Sequence, residues 1–251
     1  MKSVPSRFNR YFAPVLFLLF VVVVPLRADD TMAQPSQPVQ LSHLHYLNGK
    51  KPNVIELLAP PPLPDSAEQA ADMDEVRAVY HAATSNDIAI AYSQQKLTIF
   101  TFTPAISPFI VPGKLPKTEA FIHRVQTDAE AVTDNAKDFY KRPRLYVTDP
   151  SLANGKLEKS FSYPSGHSTE SMVLALVLTE VFPNKHDPII AEARNIGWHR
   201  MEIARHYLTD IYAGRVLAQA IVCEMNKDHK FQRDLVAARA EVAAAESAAK
   251  N

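Results

Sequence analysis

The chain has 251 residues, with 27 Lys+Arg, 27 Asp+Glu, 19 prolines, 6 glycines and one cysteine. Its 47% hydrophobic and 22% charged content fits a folded chain with a real core and excludes wholesale disorder. Zero formal net charge leaves no composition-level case for a nucleic-acid partner, Cys223 alone cannot form an intramolecular disulfide, and so few glycines lean away from turn-dense all-β folds and toward helices.

Residues 1–28 read as a signal peptide. Lys2, Arg7 and Arg10 form a basic start, residues 11–26 (YFAPVLFLLFVVVVPL) an apolar stretch, and Ala28 a small residue at a cleavage point. The alternative is an uncleaved anchor, but the stretch has 16 residues, short of the roughly 20 that span a bilayer. Removal deletes Lys2, Arg7, Arg10 and Arg27 and no acid, leaving 23 basic against 27 acidic residues. No later run is long enough to span; the longest clean one is Met172–Leu178.

Residues 29–45 are polar and aperiodic, and read as a mobile leader. Residues 51–65 (KPNVIELLAPPPLPD) are too proline-rich for a helix and read as an extended arm packed on the domain. Ser66 with Gln69 three residues on has the pattern of a capping box. Helical patterns then cover about 67–82, 85–97, 117–140, 167–182, 188–205 and 210–227, with prolines mostly between them. Lys96–Thr103 alternates ambiguously between strand and helix. Cys223 reads as a buried small hydrophobe. The stretch 229–251 is rich in Ala, Glu, Lys and Arg, and its mostly alanine face predicts a helical tail that is marginal alone. The expectation is one all-α domain over 46–228, built as a single helical bundle.

Three segments carry chemistry. Lys137–Arg144 (KDFYKRPR) sets four cations within eight residues; it reads either as an anion-binding cluster or as a solvated basic helix end. Ser162–Glu170 (SYPSGHSTE) puts Pro164, Ser165, Gly166 and His167 at the start of a long apolar helix. Free N–H groups there can bind an anion, glycine permits close approach, and His167 can move a proton; the bland alternative is an ordinary N-cap with a surface histidine. His199–Asp210 (HRMEIARHYLTD) spaces His206 and Asp210 four apart, so on a helix they share a face. A carboxylate on one imidazole nitrogen fixes the tautomer and leaves the other lone pair available. A helix-stabilising pair is the alternative. So is a metal site, but it lacks a third ligand, because His43 and His45 lie in the leader.

Together, Lys137, Arg144, the turn Pro164–His167, Arg200, His206 and Asp210 resemble the three-part signature of the type 2 phosphatidic acid phosphatase superfamily. That signature is Lys, six residues, Arg-Pro; then Pro-Ser-Gly-His; then Ser-Arg, five residues, His, three residues, Asp. Pro52–Pro62, the Ser66 helix, Ala136–Tyr140 and Asp210–Arg215 further resemble the bacterial class A non-specific acid phosphatases over roughly residues 46–225. Two positions depart: Leu145 stands where the family has proline, and His199 where it has serine.

The resemblance implies an all-α phosphatase of the phosphatidic acid phosphatase/haloperoxidase type, secreted or periplasmic, acting on small phosphomonoesters without metal or cofactor. It implies His206 as nucleophile, Asp210 as its orienting partner and His167 as general acid. Lys137, Arg144, Arg200, the backbone of Ser165 and Gly166, and His199 in place of serine would hold the phosphate. It further implies a homodimer or larger homo-oligomer, no nucleic acid, and no membrane after signal cleavage. Vanadium-dependent haloperoxidases share the same core, so a vanadate-dependent haloperoxidase is a rival reading. A degenerate phosphate-binding protein is another.

Overall fold

The structure is a computed structural model that describes residues 44–47, 51–106 and 110–249. The signal peptide and the leader up to residue 43 lie outside the described residues.

The described residues form helices, and none forms a strand. In chain order they are α1 (Val54–Leu57), α2 (Ala67–Ala82), α3 (Ser85–Ser93), α4 (Thr103–Ile106), α5 (Pro116–Tyr140), α6 (Leu145–Thr148), α7 (Gly166–Val181), α8 (His186–Glu202), α9 (Leu208–Met225) and α10 (His229–Ala249). The expected all-α bundle is therefore the fold found. The ambiguous stretch 96–103 becomes a 3₁₀ turn at Ile99–Phe102 running into α4. The proline-rich arm is extended except for the single turn of α1, which Asn53 caps through Ile55 N–H. Tyr140 Oη donates to Val54 and Leu58 carbonyls, and Tyr163 Oη donates to Ala59 O, tying the arm to the domain.

α7 is the central helix. Its central run, Met172–Leu178, is apolar on all sides, as the largely enclosed middle of a helix must be. It packs against α5, α8 and α9. Two glycines allow the close approach. An ideal Cβ on Gly214 of α9 would lie 2.9 Å from Ser165 O and 3.0 Å from Thr169 N, and one on Gly197 of α8 would lie 3.2 Å from Ser168 Oγ. The start of α7 is thus wedged between α8 and α9.

The capping box expected at Ser66 is only half made. Ser66 Oγ accepts from Gln69 N–H at 3.1 Å, while Gln69 Oε1 accepts from Arg142 instead. Cys223, expected buried, is exposed.

Both ends of the domain extend past their expected limits. At the front, Asp128 of α5 is fully buried and accepts from the His45, Tyr46 and Leu47 amides at 2.7, 2.7 and 3.1 Å, so the leader's last residues are docked. At the back, the alanine-rich segment forms α10, which packs on α5 and α7 through Phe231, Leu235, Ala238 and Val242. Phe231 meets Tyr46 and Phe121 edge-on or tilted. α5 begins at Pro116 with no side-chain cap of its own, and Glu241 of α10 supplies one, accepting from Lys117 and Thr118 amides at 3.0 and 2.8 Å.

Candidate active site

Four helix ends build the site. α5 ends at Tyr140 because Lys141 takes a left-handed conformation (φ 50°) and Pro143 follows. That leaves Lys137 in the last turn of α5 and sends Arg142 and Arg144 into the connection. α7 starts at Gly166 with Ser165 as N-cap, its Oγ accepting from Ser168 N–H at 3.3 Å. α8 carries Arg200 in its last turn and stops at Glu202, with Ala204 at φ 48°. α9 starts at Leu208.

His206 lies in the turn between α8 and α9, two residues before α9 starts, and Asp210 is in the first turn of α9. The expectation that the two share a helical face is therefore corrected. The pair still meets, because the first turn of α9 presents the Asp210 carboxylate back toward the turn. Its Oδ2 accepts from Tyr207 N–H at 3.0 Å and faces His206 Nδ1 at 3.3 Å.

The tautomer of His206 follows from its neighbours. Nε2 lies 2.9 Å from Arg144 Nη1. A guanidinium can only donate, so Nε2 is the acceptor and Nδ1–H donates to Asp210. Burial, and then the charges of Arg144 and Lys137, hold the imidazole well below its ordinary 6.5. His206 is thus a neutral ring whose Nε2 lone pair accepts from Arg144.

The cations around it are buried: Lys137 is 7% exposed, Arg144 2% and Arg200 1%. Burial, then the nearby Arg144, pushes the Lys137 amine down. Burial likewise pushes Arg200 down to about 10. Arg200 Nη2 donates to Ala91 O, while its buried Nε has no partner among the described residues. An orphaned guanidinium donor in a buried site costs free energy unless an anion meets it. His167, in the first turn of α7, has Nε2 3.2 Å from Gln95 O, and burial followed by Arg200 lowers it to about 4.

Two expected phosphate contacts change. The Ser165 N–H donates to Asp210 O at 3.0 Å, so it is engaged in holding α9 against α7. The first-turn amides of Gly166 and His167 have no partner inside the helix. A Cβ on Gly166 would sit 3.5 Å from Lys137 Nζ, so glycine keeps the space beside that amine clear. His199 Nδ1 makes a 2.7 Å hydrogen bond with Gln94 Oε1; among the described residues it has no hydrogen bond to Lys137, Arg144 or His206.

Sequence reasoning missed Arg142, Asp72, Ser162 and Glu158. Arg142 is 5% exposed and lies between two buried carboxylates, donating to Asp210 Oδ1 at 2.6 Å and Asp72 Oδ2 at 2.8 Å. Ser162 Oγ donates to Asp210 Oδ2 at 2.5 Å. Arg142 was visible as one of four clustered cations, but nothing nearby distinguished a structural arginine from a ligand-binding one. Glu158 forms an ion pair with Arg144.

Residues 126–234 match the family described as the PAP2 superfamily. An acid phosphatase of Zymomonas mobilis is 27% identical over 225 residues, covering 86% of this chain and 83% of that protein. A non-specific acid phosphatase of Providencia stuartii is 28% identical over 216 residues, covering 80% of this chain and 85% of that one. A solved transmembrane PAP2 type phosphatidylglycerolphosphate phosphatase from Bacillus subtilis aligns with TM-score 0.48 and 19% identity over 65% of this chain and 87% of its own. The matched window runs from within α5 into α10 and takes in each catalytic and phosphate-binding residue expected above, so residues 126–234 are those of a PAP2 superfamily domain.

Proposed function

We propose that this protein is an exported acid phosphatase that hydrolyses small phosphomonoesters through a phosphohistidine on His206, with no metal ion in the reaction. One observation carries the reading: the His206 Nε2 lone pair, fixed by Asp210 on the other ring nitrogen, faces Arg144 within a group of buried cations. The curated relatives, named acid phosphatases, support the same reaction class.

A phosphate dianion sits among Lys137, Arg144 and Arg200, with the Gly166 and His167 amides as further donors. Arginine forks suit two oxygens at once. His206 Nε2 attacks phosphorus, the bond to the leaving oxygen breaks, and that oxygen takes a proton from His167. Asp210 stabilises the positive ring. Water then attacks phosphorus and gives its proton to His167, the N–P bond breaks, and its electron pair returns to Nε2. The cations hold the charge on the equatorial oxygens throughout, where most catalysis of phosphoryl transfer resides.

Export rests on residues 1–28, and among the described residues no helix is long and apolar enough to cross a membrane. The test is hydrolysis of para-nitrophenyl phosphate at acidic pH by the protein without residues 1–28. Vanadate should inhibit it, His206→Ala should abolish turnover, and alkaline quenching of His167→Ala during turnover of para-nitrophenyl phosphate, whose leaving group is good, should trap a phosphorylated histidine. Full activity in His206→Ala would refute the assignment, and loss of activity with EDTA would refute the metal-free step.

A further inference from the structure

We propose that Glu158 is a built-in competitor of the phosphate, a carboxylate that takes up Arg144 and so sets how tightly the site holds an anion. The proposal rests on the reading of this site as a phosphate pocket and adds a residue that governs its affinity.

All three guanidinium nitrogens of Arg144 are engaged. Nε goes to Ser160 O at 2.9 Å, Nη1 to Arg205 O at 2.8 Å and His206 Nε2 at 2.9 Å, and Nη2 to Ser160 Oγ at 3.0 Å and to the Glu158 carboxylate. The carbonyl contacts fix the guanidinium plane. Of the partners, Glu158 is the anion, and it meets Nη2, a donor that a phosphate oxygen would also use. A phosphate that engages Nη2 must displace it.

Glu158 also senses the whole site. Burial pushes its carboxyl up, but Arg144, His206, His167 and Lys137 outweigh that and leave it below the usual carboxylate range. Arg200 is coupled to it as well. These five groups come from α5, the α5–α6 connection, α7, α8 and the α8–α9 turn, so the carboxylate stands where all of them converge. A dianion bound at the same convergence would meet it as a like charge.

The loop is built so that this side chain can leave without the backbone following. Tyr146 Oη donates to Glu158 O at 2.6 Å, Arg205 Nη2 to Asn154 O at 2.6 Å, and Arg144 to Ser160 O. The side chain itself is 35% exposed, against 2% for Arg144, so a rotamer change takes the carboxylate into solvent. Such a change is within ordinary side-chain freedom.

The experiment measures dissociation constants for inorganic sulfate by calorimetry at pH 6 in the wild type, Glu158→Gln and Glu158→Ala. Glu246→Gln serves as a control for net charge, and a thermal melt of each confirms folding. Both Glu158 variants should bind sulfate about tenfold more tightly, from losing one charged competitor at a partly exposed site, with KM for para-nitrophenyl phosphate falling in parallel. Unchanged or weaker binding in both would overturn the proposal and make Glu158 a positioning group for Arg144. An equal gain in Glu246→Gln would overturn it in favour of net charge. A wild type that neither binds sulfate nor hydrolyses para-nitrophenyl phosphate, with both variants equally inert, would sink the phosphate-pocket reading and this proposal with it. Wild-type binding without a Glu158 effect would sink this proposal alone.

Discussion

Arg142 Nη1 donates to Asp210 Oδ1 at 2.6 Å, so the carboxylate that orients His206 through Oδ2 is itself fixed through its other oxygen. Ser162 and the Tyr207 amide complete its shell. Arg142 in turn lies 3.7 Å over the Tyr207 ring and also reaches Asp72, Gln69 and Thr209. One arginine thus locks α2, the α5–α6 connection and the start of α9 together beneath the proposed nucleophile.

Arg142→Met tests this. It leaves two buried carboxylates, Asp72 and Asp210, facing each other without a cation, a loss of about 3–5 kcal/mol for a broken buried pair. With the imidazole less firmly aimed, kcat should fall about 100-fold while sulfate affinity, which rests on other residues, changes little. Denaturant unfolding and steady-state kinetics check the two halves. Replacing Asp72 as well, as Asp72→Leu with Arg142→Met, should recover stability but not kcat.

The imidazoles make a pH prediction. His167 is held at about 4 against an ordinary 6.5, so between those values the unfolded chain binds the extra proton. Its contribution to stability is complete above about pH 6.5 and is lost as pH falls toward 4. Glu170 runs the other way, its carboxyl raised by burial to about 7, so a single pH–stability curve mixes the two. The comparison of wild type with His167→Asn isolates His167: the variant should gain stability relative to wild type as pH falls from 6.5 to 4. Sulfate should shrink that difference, since its two charges favour the protonated ring. Melting curves at pH 7, 5.5 and 4.5, with and without sulfate, give the answer; a pH-independent difference would contradict it.

Much of the site could be read along the chain because its residue types occur at spacings that chemistry restricts. A small turn followed by the apolar run Met172–Leu178 marks the start of α7, and His206 meets Arg144 and Asp210 as that spacing suggests. What could not be read depends on distant partners. The spacing of His206 and Asp210 fits a helix turn as well as the turn-then-helix found, because Ala204 carries no signal of its left-handed backbone. Glu158 sits among polar loop residues, where an acid usually means a solvated surface. The alanine-rich segment lacks a strong apolar face by itself. Its stability comes from Tyr46 and Phe121, which lie far from it in the chain.

Gly214 gives a packing prediction. A Cβ there would meet backbone, at 2.9 Å from Ser165 O and 3.0 Å from Thr169 N, and neither atom can yield without moving the start of α7. Gly214→Ala should cost about 1–3 kcal/mol as overpacking and should lower kcat, because the displaced turn carries Gly166 and His167. Gly197→Ala faces Ser168 Oγ at 3.2 Å and Ile211 Cγ2 at 3.3 Å. Those are side-chain atoms that can shift, so its effect on both measures should be smaller.

The docked tail makes the last prediction. Phe231 is 1% exposed, Leu235 3% and Val242 3%, and burying each contributes about 1.5–3 kcal/mol. Asp234 adds a partly exposed pair with Arg124 at 2.9 Å and accepts from Tyr46 Oη at 2.7 Å. Removing residues 229–251 strips these contacts and leaves α5 uncapped, so the truncated protein should melt well below the full chain. Two point variants separate the contributions. Phe231→Ala should cost about 3–5 kcal/mol, as for other buried aromatics. Glu241→Ala, which removes only the cap on α5, should cost about 1 kcal/mol. None of these side chains touches Lys137, Arg144, Arg200 or His206, so kcat measured well below the melting temperature should hold in both point variants. A fall in kcat at intact stability would instead tie α10 to the chemistry.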